Sequence, residues 1–426
     1  MTSIEELYSI YKQHPSVQTD TRQLQQGDLF FALKGDNFNG NLFALQALEK
    51  GASYAVVDEA GDDNNDRLLL VNNVLEILQS LARHHREQFK IPFLAITGSN
   101  GKTTTKELVH AVLSSHYKTY TTKGNLNNHI GIPLTILQVK PDAEIAVIEM
   151  GANHLREIAG YCMYTQPTHG VITNCGKAHL EGFGSIEGVR KGKGELYDYI
   201  RATSGSLLVF DDYDYLHNMS QDISNIYWYG TQKGDVVGEA QEDSSFLTVD
   251  FSKGFSLSPI QTQLVGNYNL PNVLCAVAAG NYFGVPEEKI KNAIENYAPS
   301  NSRSQLVEKG GNKIILDAYN ANPSSMKAAI ENFANIKANY KILMIGSMAE
   351  LGADSLAEHQ AIVDLINQHH FSDVVLVGKY FDAIHHPYQQ FKTAEEAREW
   401  LQKQYVTNAY ILIKGSRSTG MEKIIA

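Results

Sequence analysis

The 426-residue sequence predicts an α/β fold in three domains. Short apolar runs typical of buried strands alternate with helical stretches along the chain. This pattern restarts after the stretch NYAPSNSRSQ, which is polar and contains proline. The length and a hydrophobic content of 43% suffice for two or three packed cores. We therefore place the domains at residues 1–88, 89–298 and 299–426.

The first domain is predicted to be a small α/β unit. From Asp28 onward, the runs LFFAL, YAVVDE and RLLLV have the character of strands, and LFALQALEKGA has helical spacing. The polar helical stretch LARHHREQFK is expected to close this domain.

The central domain is predicted to contain a mostly parallel sheet. The run IPFLAITG is typical of a buried strand that enters a Gly-rich turn, and TTTKELVHAVLSSH continues as a helix. Further strands are expected at 146–150, 170–174 and 206–211, with helical stretches between them. Residues 226–265 contain short apolar runs separated by Gly and Ser, which predicts antiparallel strands at the edge of the sheet.

The last domain is predicted to be a separate, Rossmann-like α/β unit. Its strand candidates NKIILDAY, KILMIGSM, DVVLVGK and AYILIKG alternate with helices. A strand followed by a helix and another strand favours parallel pairing, so a second parallel sheet is expected here.

Composition and charge exclude several classes of function. The net charge of -11 and a pI near 5.8 argue against general affinity for nucleic acid. We expect no secretory signal at the N-terminus and no membrane insertion, because no apolar run approaches the ~20 residues that a spanning helix needs. Cys162, Cys175 and Cys275 are too far apart to suggest a disulfide framework or a zinc finger. These features predict a cytoplasmic monomer.

The stretch ITGSNGKTTTKE, residues 96–107, has the composition of a polyphosphate-binding loop. Its glycines allow backbone N–H groups to face phosphate oxygens, and the following helix adds its positive dipole end. Lys102 would contact the terminal phosphates, and the Thr103 hydroxyl would ligate Mg²⁺. The alternative is an ordinary strand-to-helix turn, in which the lysine would have no purpose. The predicted phosphate-binding residues are Gly98, Ser99, Asn100, Gly101, Lys102, Thr103 and Thr104.

The loop departs from the general G-x-x-x-x-G-K-[ST] pattern at Ile96, where that pattern has glycine. It resembles instead the T-G-x-N-G-K-T loop of the Mur ligase superfamily, which also contains folylpolyglutamate synthases. Further stretches resemble the same family in all three predicted domains: DTR with GDLFFALKG (20–35), GNLNNHIGIPLT (124–135), IEMGANHLREI (148–158), AHLEGFGSIEGV (178–189), LDAYNANPSSM (316–326), MAELGADS (348–355) and KGSRSTGMEK (414–423). The resemblance implies a P-loop ATPase-type central domain.

The branch of the family that these stretches resemble joins D-alanyl-D-alanine to UDP-N-acetylmuramoyl-tripeptide. The resemblance implies an ADP-forming amide ligase that uses ATP and Mg²⁺ and proceeds through an acyl phosphate. Two alternatives remain open: a ligase of the same superfamily with another acceptor, of the UDP-MurNAc-dipeptide or folylpolyglutamate type, and a non-catalytic nucleotide-binding switch. The sequence does not reveal whether the tripeptide ends in meso-diaminopimelate or lysine.

The resemblance also implies roles for individual residues. The metal ligands would be Thr103, Glu149, His179 and a carbamate on Lys193, and the catalytic residues Lys102, His179 and Lys193. ATP would further contact Asn272, Arg303 and Asp317. The substrates would contact Thr21, Arg22, Asn127, Asn128, Asn320, Asn322, Lys414 and Arg417.

Each of these assignments has a structural alternative. A lone histidine is more often structural than a ligand, and Lys193 lies in a basic stretch that would otherwise be solvated. Asn269 and Asn272 could cap a helix, and Asn320 and Asn322 could belong to a turn. The chain departs from the family pattern at Asn39, Asn41 and Tyr268, where the last position usually holds histidine.

Overall fold

The computed structural model describes residues 2–59, 65–241, 246–300 and 302–426. The chain divides into two compact units. Unit 1 comprises Met1–Ala95, Tyr117–Ala152 and Arg156–Gly170, and unit 2 comprises Ile96–His116, Asn153–Leu155 and Val171–Ala426. Strands and helices alternate in both units, which confirms the predicted α/β class.

The strands in chain order are β1 (Val17–Gln18), β2 (Leu29–Phe31), β3 (Lys34–Gly35), β4 (Phe38–Asn39), β5 (Tyr54–Val57), β6 (Leu68–Leu70), β7 (Phe93–Thr97), β8 (Thr119–Thr121), β9 (Ile145–Glu149), β10 (His169–Ile172), β11 (Ser206–Phe210), β12 (Asn225–Gly230), β13 (Val236–Ala240), β14 (Thr248–Lys253), β15 (Ile260–Gln261), β16 (Gln305–Lys309), β17 (Asn312–Asp317), β18 (Lys341–Gly346), β19 (Asp373–Val377), β20 (Gln389–Phe391) and β21 (Tyr410–Lys414).

The α-helices in chain order are α1 (Ile4–Gln13), α2 (Ala44–Glu49), α3 (Val74–Arg86), α4 (Lys102–Ser114), α5 (Gly131–Leu137), α6 (Glu157–Thr165), α7 (Leu180–Phe183), α8 (Ile186–Ala202), α9 (Asp214–Met219), α10 (Leu270–Tyr282), α11 (Glu287–Glu295), α12 (Pro323–Asn335), α13 (Ser355–Asn367) and α14 (Ala394–Lys403).

Unit 1 begins with a parallel sheet in the order β1-β2-β5-β6. Phe30, Leu48 and Val57 belong to its core, and β3 and β4 form a separate antiparallel pair. The unit also contains the order β7-β9-β8, in which β8 and β9 pair in parallel. The predicted strands in LFFAL, YAVVDE and RLLLV are therefore confirmed.

Helix α3 differs from the polar helix expected in LARHHREQFK, because two residues of its last turn, His85 and Arg86, are buried. Arg86 is 6% exposed, and its guanidinium donates to the carbonyl oxygens of Thr165, Gln166 and Phe89 at 2.8–2.9 Å. The same guanidinium lies 3.9 Å from the ring centroid of Phe93. A buried arginine is stable only when its donors are satisfied, and two of these carbonyls, those of Thr165 and Gln166, come from a segment distant in sequence.

In unit 2 the strands following β10 continue in the order β10-β11-β12-β13-β14-β15. The prediction of antiparallel strands over 226–265 is confirmed for β13–β14 and β14–β15. It is wrong for β12, which pairs in parallel with β11 over five residue pairs and with β13 over two. Helix α9 connects β11 to β12 and returns the chain in the same direction, as parallel pairing requires.

The C-terminal part of unit 2 contains a sheet in the order β16-β17-β21-β18-β19-β20. Only β16 runs antiparallel to its neighbour among the described residues of this sheet. One face packs against Met326, Phe333 and Ile362, and the other against Ala397 and Trp400. Apolar burial on both faces is typical of a parallel sheet covered by helices. Within the described residues, no helix is long and apolar enough to cross a membrane.

Candidate functional site

The loop between β7 and α4 depends on two glycines with positive φ. Gly98 has φ 146°, and Gly101 has φ 77° immediately before the helix begins at Lys102. A Cβ atom on Gly98 would lie 2.0 Å from Thr173 Oγ1, and one on Gly101 would lie 2.5 Å from Asn272 Oδ1. Both positions therefore require glycine for conformational and for steric reasons.

Two residues after β10 fix the shape of this loop. Thr173 Oγ1 donates to the carbonyl oxygen of Asn100 at 2.6 Å. The side-chain amide of Asn174 accepts from the backbone N–H of Asn100 and donates to its carbonyl, each at 3.0 Å. The loop is therefore preformed before any ligand binds. Sequence analysis did not single out Thr173 and Asn174, although their place directly after a buried strand is a usual one for site residues.

Lys102 and Thr103 occupy the first turn of α4. The ammonium of Lys102 donates to the carbonyl oxygens of Gly98 at 2.6 Å and Ser99 at 3.1 Å. Thr103 is 4% exposed, whereas Thr104 is partly exposed. A lysine and a helix N-terminus at one loop favour an anionic ligand, as predicted.

Asn272 lies against this loop as a connection between α10 and α4. Its Oδ1 accepts from Thr105 Oγ1 at 3.0 Å, and its Nδ2 donates to Asn269 Oδ1 at 2.9 Å. Asn269 donates in turn to the carbonyl oxygen of Val265 and makes no capping bond. The capping interpretation of Asn269 is therefore wrong, and the Asn272 amide has a packing role in addition to any contact with a base.

His179 meets an acidic residue that sequence analysis did not assign to the site. Its Nδ1 lies 2.5 Å from Glu350 Oε2. This close contact with His179 lowers the pKa of Glu350, and the charge of Lys102 acts in the same direction. His179 and Glu350 both have positive φ, at 52° and 62°, which non-glycine residues adopt at an energetic cost. The stretch MAELG was part of the family resemblance, but it gave Glu350 no role.

Lys193 is buried on α8, at 1% exposure, and its Nζ lies 5.1 Å from the ring centroid of Phe183. Burial raises the pKa of the Cys175 thiol to about 12, and the charges of Lys193 and Arg190 oppose that rise. Lys191, two residues earlier, is exposed. The interpretation as a solvated basic face is therefore wrong for Lys193 and correct for Lys191.

The predicted C-terminal residues form two clusters in unit 2. In the first, Lys414 Nζ pairs with Asp317 Oδ2 at 2.6 Å, and Lys414 is 2% exposed. In the second, the guanidinium carbons of Arg303 and Arg417 lie 3.6 and 5.2 Å from the ring centroid of Tyr319. The structure thus brings Arg303 and Arg417 to one aromatic ring.

Asn320 and Asn322 both have local backbone partners. Asn320 Oδ1 accepts from the N–H of Ala321 at 2.9 Å. Asn322 caps α12 by accepting from the N–H of Ser325 at 2.9 Å, and its Nδ2 donates to Asn100 Oδ1 at 2.7 Å. The turn interpretation therefore holds for both, and Asn322 additionally contacts the phosphate-type loop.

In unit 1, Glu149 ends β9 and is 1% exposed. Its Oε1 accepts from Asn127 Nδ2 at 2.7 Å, and its backbone N–H donates to Thr122 Oγ1 at 3.0 Å. Asn128 Oδ1 accepts from the N–H groups of Ile130 and Gly131 at the start of α5. Asn127 thus orients the predicted metal ligand, and Asn128 shapes a turn.

Of the predicted N-terminal site residues, Arg22 is exposed and Thr21 is half-buried. Arg22 pairs with Asp20 at 2.7 Å, with 86% of its own side chain exposed, and the carbonyl of Thr21 accepts from Lys50. Asn41 donates to Asp58 Oδ1 at 2.8 Å and to Asn39 Oδ1 at 3.0 Å. Asn39 and Asn41, the residues that depart from the family pattern, therefore have hydrogen-bond partners within unit 1.

A buried strand, a preformed glycine loop and a helix that starts with lysine define a multidomain α/β protein of the phosphate-loop class. Within the described residues, no three His, Cys, Asp or Glu side chains are grouped to hold a metal ion. The predicted ligand set includes only two residues of those types, His179 and Glu149.

Comparisons with known proteins identify the family. Three models match: "Mur ligase family, catalytic domain" over residues 15–86, "Mur ligase middle domain" over 96–280, and "Mur ligase, glutamate ligase domain" over 302–417. UDP-N-acetylmuramoyl-tripeptide–D-alanyl-D-alanine ligases of Bacillus subtilis (strain 168) and Escherichia coli (strain K12) are 33% and 35% identical to the chain, over 96% of it and 92% of each relative. The chain belongs to the Mur ligase family.

A solved structure shows the same fold. The crystal structure of the MurF ligase from Thermotoga maritima in complex with ADP superposes with a TM-score of 0.87 and 26% identity, over 96% of each chain. The family resemblance inferred from the sequence motifs is thereby confirmed.

Proposed function

We propose that the protein joins D-alanyl-D-alanine to UDP-N-acetylmuramoyl-tripeptide, with cleavage of ATP to ADP and phosphate, in peptidoglycan precursor synthesis. The observation that carries this proposal is the preformed Gly98–Thr104 loop. The chain that contains it matches UDP-N-acetylmuramoyl-tripeptide–D-alanyl-D-alanine ligases over 96% of its length. The tripeptide carboxylate would attack the terminal phosphorus of ATP and release ADP. The amine of the dipeptide would then displace phosphate from the acyl phosphate and form the amide.

The loop is proposed to bind the phosphates of ATP. Lys102 would leave the carbonyls of Gly98 and Ser99 and donate to the terminal phosphate, because a phosphate oxygen is the stronger acceptor. Arg303 would contact the same phosphate, Asp317 the ribose and Asn272 the base. The ADP complex of the Thermotoga maritima relative supports a nucleotide at this fold.

Mg²⁺ suits the oxygen donors of this chain. The buried carboxylate of Glu149 and the buried hydroxyl of Thr103 are hard ligands of the kind the ion prefers. When bound, Mg²⁺ would offset the negative charge of the phosphates and the carboxylate. His179 and a carbamate on Lys193 are proposed for a second ion, and Asn127 would hold the Glu149 carboxylate in place.

The remaining residues are proposed to recognise the two substrates. Thr21 and Arg22 would contact the UDP end, and Asn127 and Asn128 the sugar-peptide substrate. Asn320, Asn322, Lys414 and Arg417 would line the dipeptide site. The domain boundaries at 1–88, 89–298 and 299–426, the monomeric state and the cytoplasmic location remain predictions.

The test is product formation with purified protein. UDP-N-acetylmuramoyl-tripeptides ending in meso-diaminopimelate and in lysine are each incubated with ATP and Mg²⁺, with and without D-alanyl-D-alanine. We expect phosphate release that needs both substrates, and a pentapeptide product in the mass spectrum. Turnover with a UDP-MurNAc-dipeptide, or with folate and glutamate, in place of these substrates would overturn the proposal, as would nucleotide binding without ligation of any of them.

A further inference from the structure

Tyr319 lies between two arginines of unit 2. The guanidinium of Arg303 is 3.6 Å from its ring centroid and that of Arg417 is 5.2 Å away. Both distances are within the range of cation–π attraction, which holds a guanidinium against an aromatic face. The Nε atom of Arg303 is buried and has no hydrogen-bond partner among the described residues. The ring is therefore a principal contact of this side chain.

Two like charges at one ring repel each other, so the arrangement is costly without an anion. Asp317 lies two residues before Tyr319 in the chain, but one of its carboxylate oxygens already pairs with Lys414 at 2.6 Å. Lys414 already balances the charge of Asp317, so the two arginines at the ring leave a positive excess. Such an excess on a partly exposed surface fits the anionic groups that the proposed reaction brings together, a terminal phosphate and a carboxylate.

The backbone that presents Arg303 is strained on both sides. Ser302 has φ 55° and Ser304 has φ 49°, although neither is glycine. The carbonyl of Ser302 accepts from the N–H of Ala318 at 2.9 Å. Strain of this kind persists only where surrounding contacts impose it, and it concentrates at functional sites.

One of these contacts comes from Tyr268. Its hydroxyl and Ser304 Oγ form a hydrogen bond of 2.9 Å, and Ser304 is 7% exposed. Tyr268 stands where the family resemblance would place histidine, so this bond gives the unusual residue a partner. The phenol of Tyr268 thus reaches the residue next to Arg303 in the chain.

We propose that Tyr268 and Tyr319 are positioning residues for Arg303, acting by different chemistry: the Tyr319 ring supports the guanidinium, and the Tyr268 hydroxyl fixes the strained turn through Ser304. The inference rests on the proposed function for its ligand, the terminal phosphate of ATP. Loss of either support would weaken the contact with that phosphate and leave the contacts with ADP intact.

The test exploits this difference in chemistry. Dissociation constants of a non-hydrolysable ATP analogue and of ADP are measured by calorimetry for Tyr319→Leu, Tyr319→Phe, Tyr268→Phe and Ser304→Ala. We expect about fivefold weaker analogue binding in Tyr319→Leu, as one cation–π contact implies, and about threefold in Tyr268→Phe. Tyr319→Phe keeps the ring and should retain most of the affinity. Tyr405→Leu, which removes a 90% exposed ring, is the control.

Two further results would support the mechanism. Ser304→Ala should mimic Tyr268→Phe, and the double variant should lose no more than either single one. Arg303→Ala should abolish the difference in affinity between the ATP analogue and ADP, which the tyrosine variants only reduce.

Equal losses for the analogue and ADP would overturn the inference, because they indicate a general structural defect. If Tyr319→Phe bound the ATP analogue as weakly as Tyr319→Leu does, the role of the ring would be overturned. Unchanged binding of the analogue by Tyr268→Phe would overturn the role of the hydroxyl. These binding measurements need no acceptor substrate. A wild-type protein that discriminates the nucleotides but forms no pentapeptide would therefore contradict the proposed function alone.

Discussion

The phosphate-type loop at Gly98–Thr104 and the N-terminal stretch at Asp20–Asn41 both carry family motifs, but different forces hold them. In the loop, positive φ angles, two steric limits and hydrogen bonds from Thr173 and Asn174 fix the backbone. In the N-terminal stretch, Arg22 is largely exposed and its partner is the neighbouring Asp20. The chain itself therefore sets the geometry of a site built from constrained backbone, whereas a site built from exposed side chains leaves its final geometry to the ligand.

The difference also explains which substitutions each region tolerates. The loop keeps every residue of the T-G-x-N-G-K-T pattern. At Asn39 and Asn41 the chain departs from its family, and the replacements have acquired hydrogen bonds with Glu59 and Asp58. Exchange is possible at these two positions because neither Asn39 nor Asn41 has a positive φ.

The largest effect is expected for Lys102→Ala. The substitution removes the charge that is proposed to contact the terminal phosphate, so turnover should fall on the order of 10²–10³-fold or more. The fold should remain, because the hydrogen bonds of the ammonium to the carbonyls of Gly98 and Ser99 lie within its own loop. Turnover and circular dichroism are measured together, with exposed Lys403→Ala as the control. Near-normal rates in a folded variant would refute the phosphate role.

Lys193→Ala should be nearly inactive, because it removes the proposed carbamate. Lys191→Ala should keep most activity, since Lys191 is exposed and Lys193 is buried on the same helix. Short carboxylic acids in the buffer should partly rescue Lys193→Ala by supplying oxygen ligands. Equal loss of activity in Lys191→Ala and Lys193→Ala would count against a carbamate. So would the failure of short carboxylic acids to rescue Lys193→Ala.

Gly98→Ala tests whether the loop depends on the positive φ of Gly98 and on the close approach of Thr173. A methyl group would meet Thr173 Oγ1 at 2.0 Å in a conformation unfavourable for alanine, so we expect a stability loss of about 2 kcal/mol and a large loss of ATP affinity. Gly160→Ala is the matched control: its Cβ meets nothing within 4 Å in helix α6, and it should gain about 0.5–1 kcal/mol. Chemical denaturation and nucleotide titration measure both. A neutral Gly98→Ala would show that the loop is not held as described.

The smallest effect is expected for Arg22→Ala in the N-terminal stretch. Loss of one exposed charge-assisted contact should raise KM for the UDP substrate about tenfold and leave kcat and the melting temperature unchanged. Steady-state kinetics at varied UDP substrate measure this. A fall in kcat without a change in KM would contradict a binding role and would remove the contrast with the loop.

Sequence alone predicts those features that one local stretch determines. Alternating runs gave the α/β class and most strands, and the glycines and lysine of one dodecapeptide gave the loop. Contacts between distant segments were not predictable: Thr173 and Asn174 act on Asn100 from more than 70 residues away, and Glu350 reaches His179. The error at β12 has the same origin, since the direction of a strand depends on how the chain returns to the sheet.

The double contact of Asn322 restricts what chemistry this position tolerates. Its amide accepts a hydrogen bond as the cap of α12 and donates another to Asn100. Aspartate caps a helix equally well but has no donor, and serine is too short to reach the loop. Glutamine has the donor, but its side chain is one methylene longer than that of asparagine and is not among those preferred at an N-cap. Asparagine thus serves both partners, which none of these three replacements does.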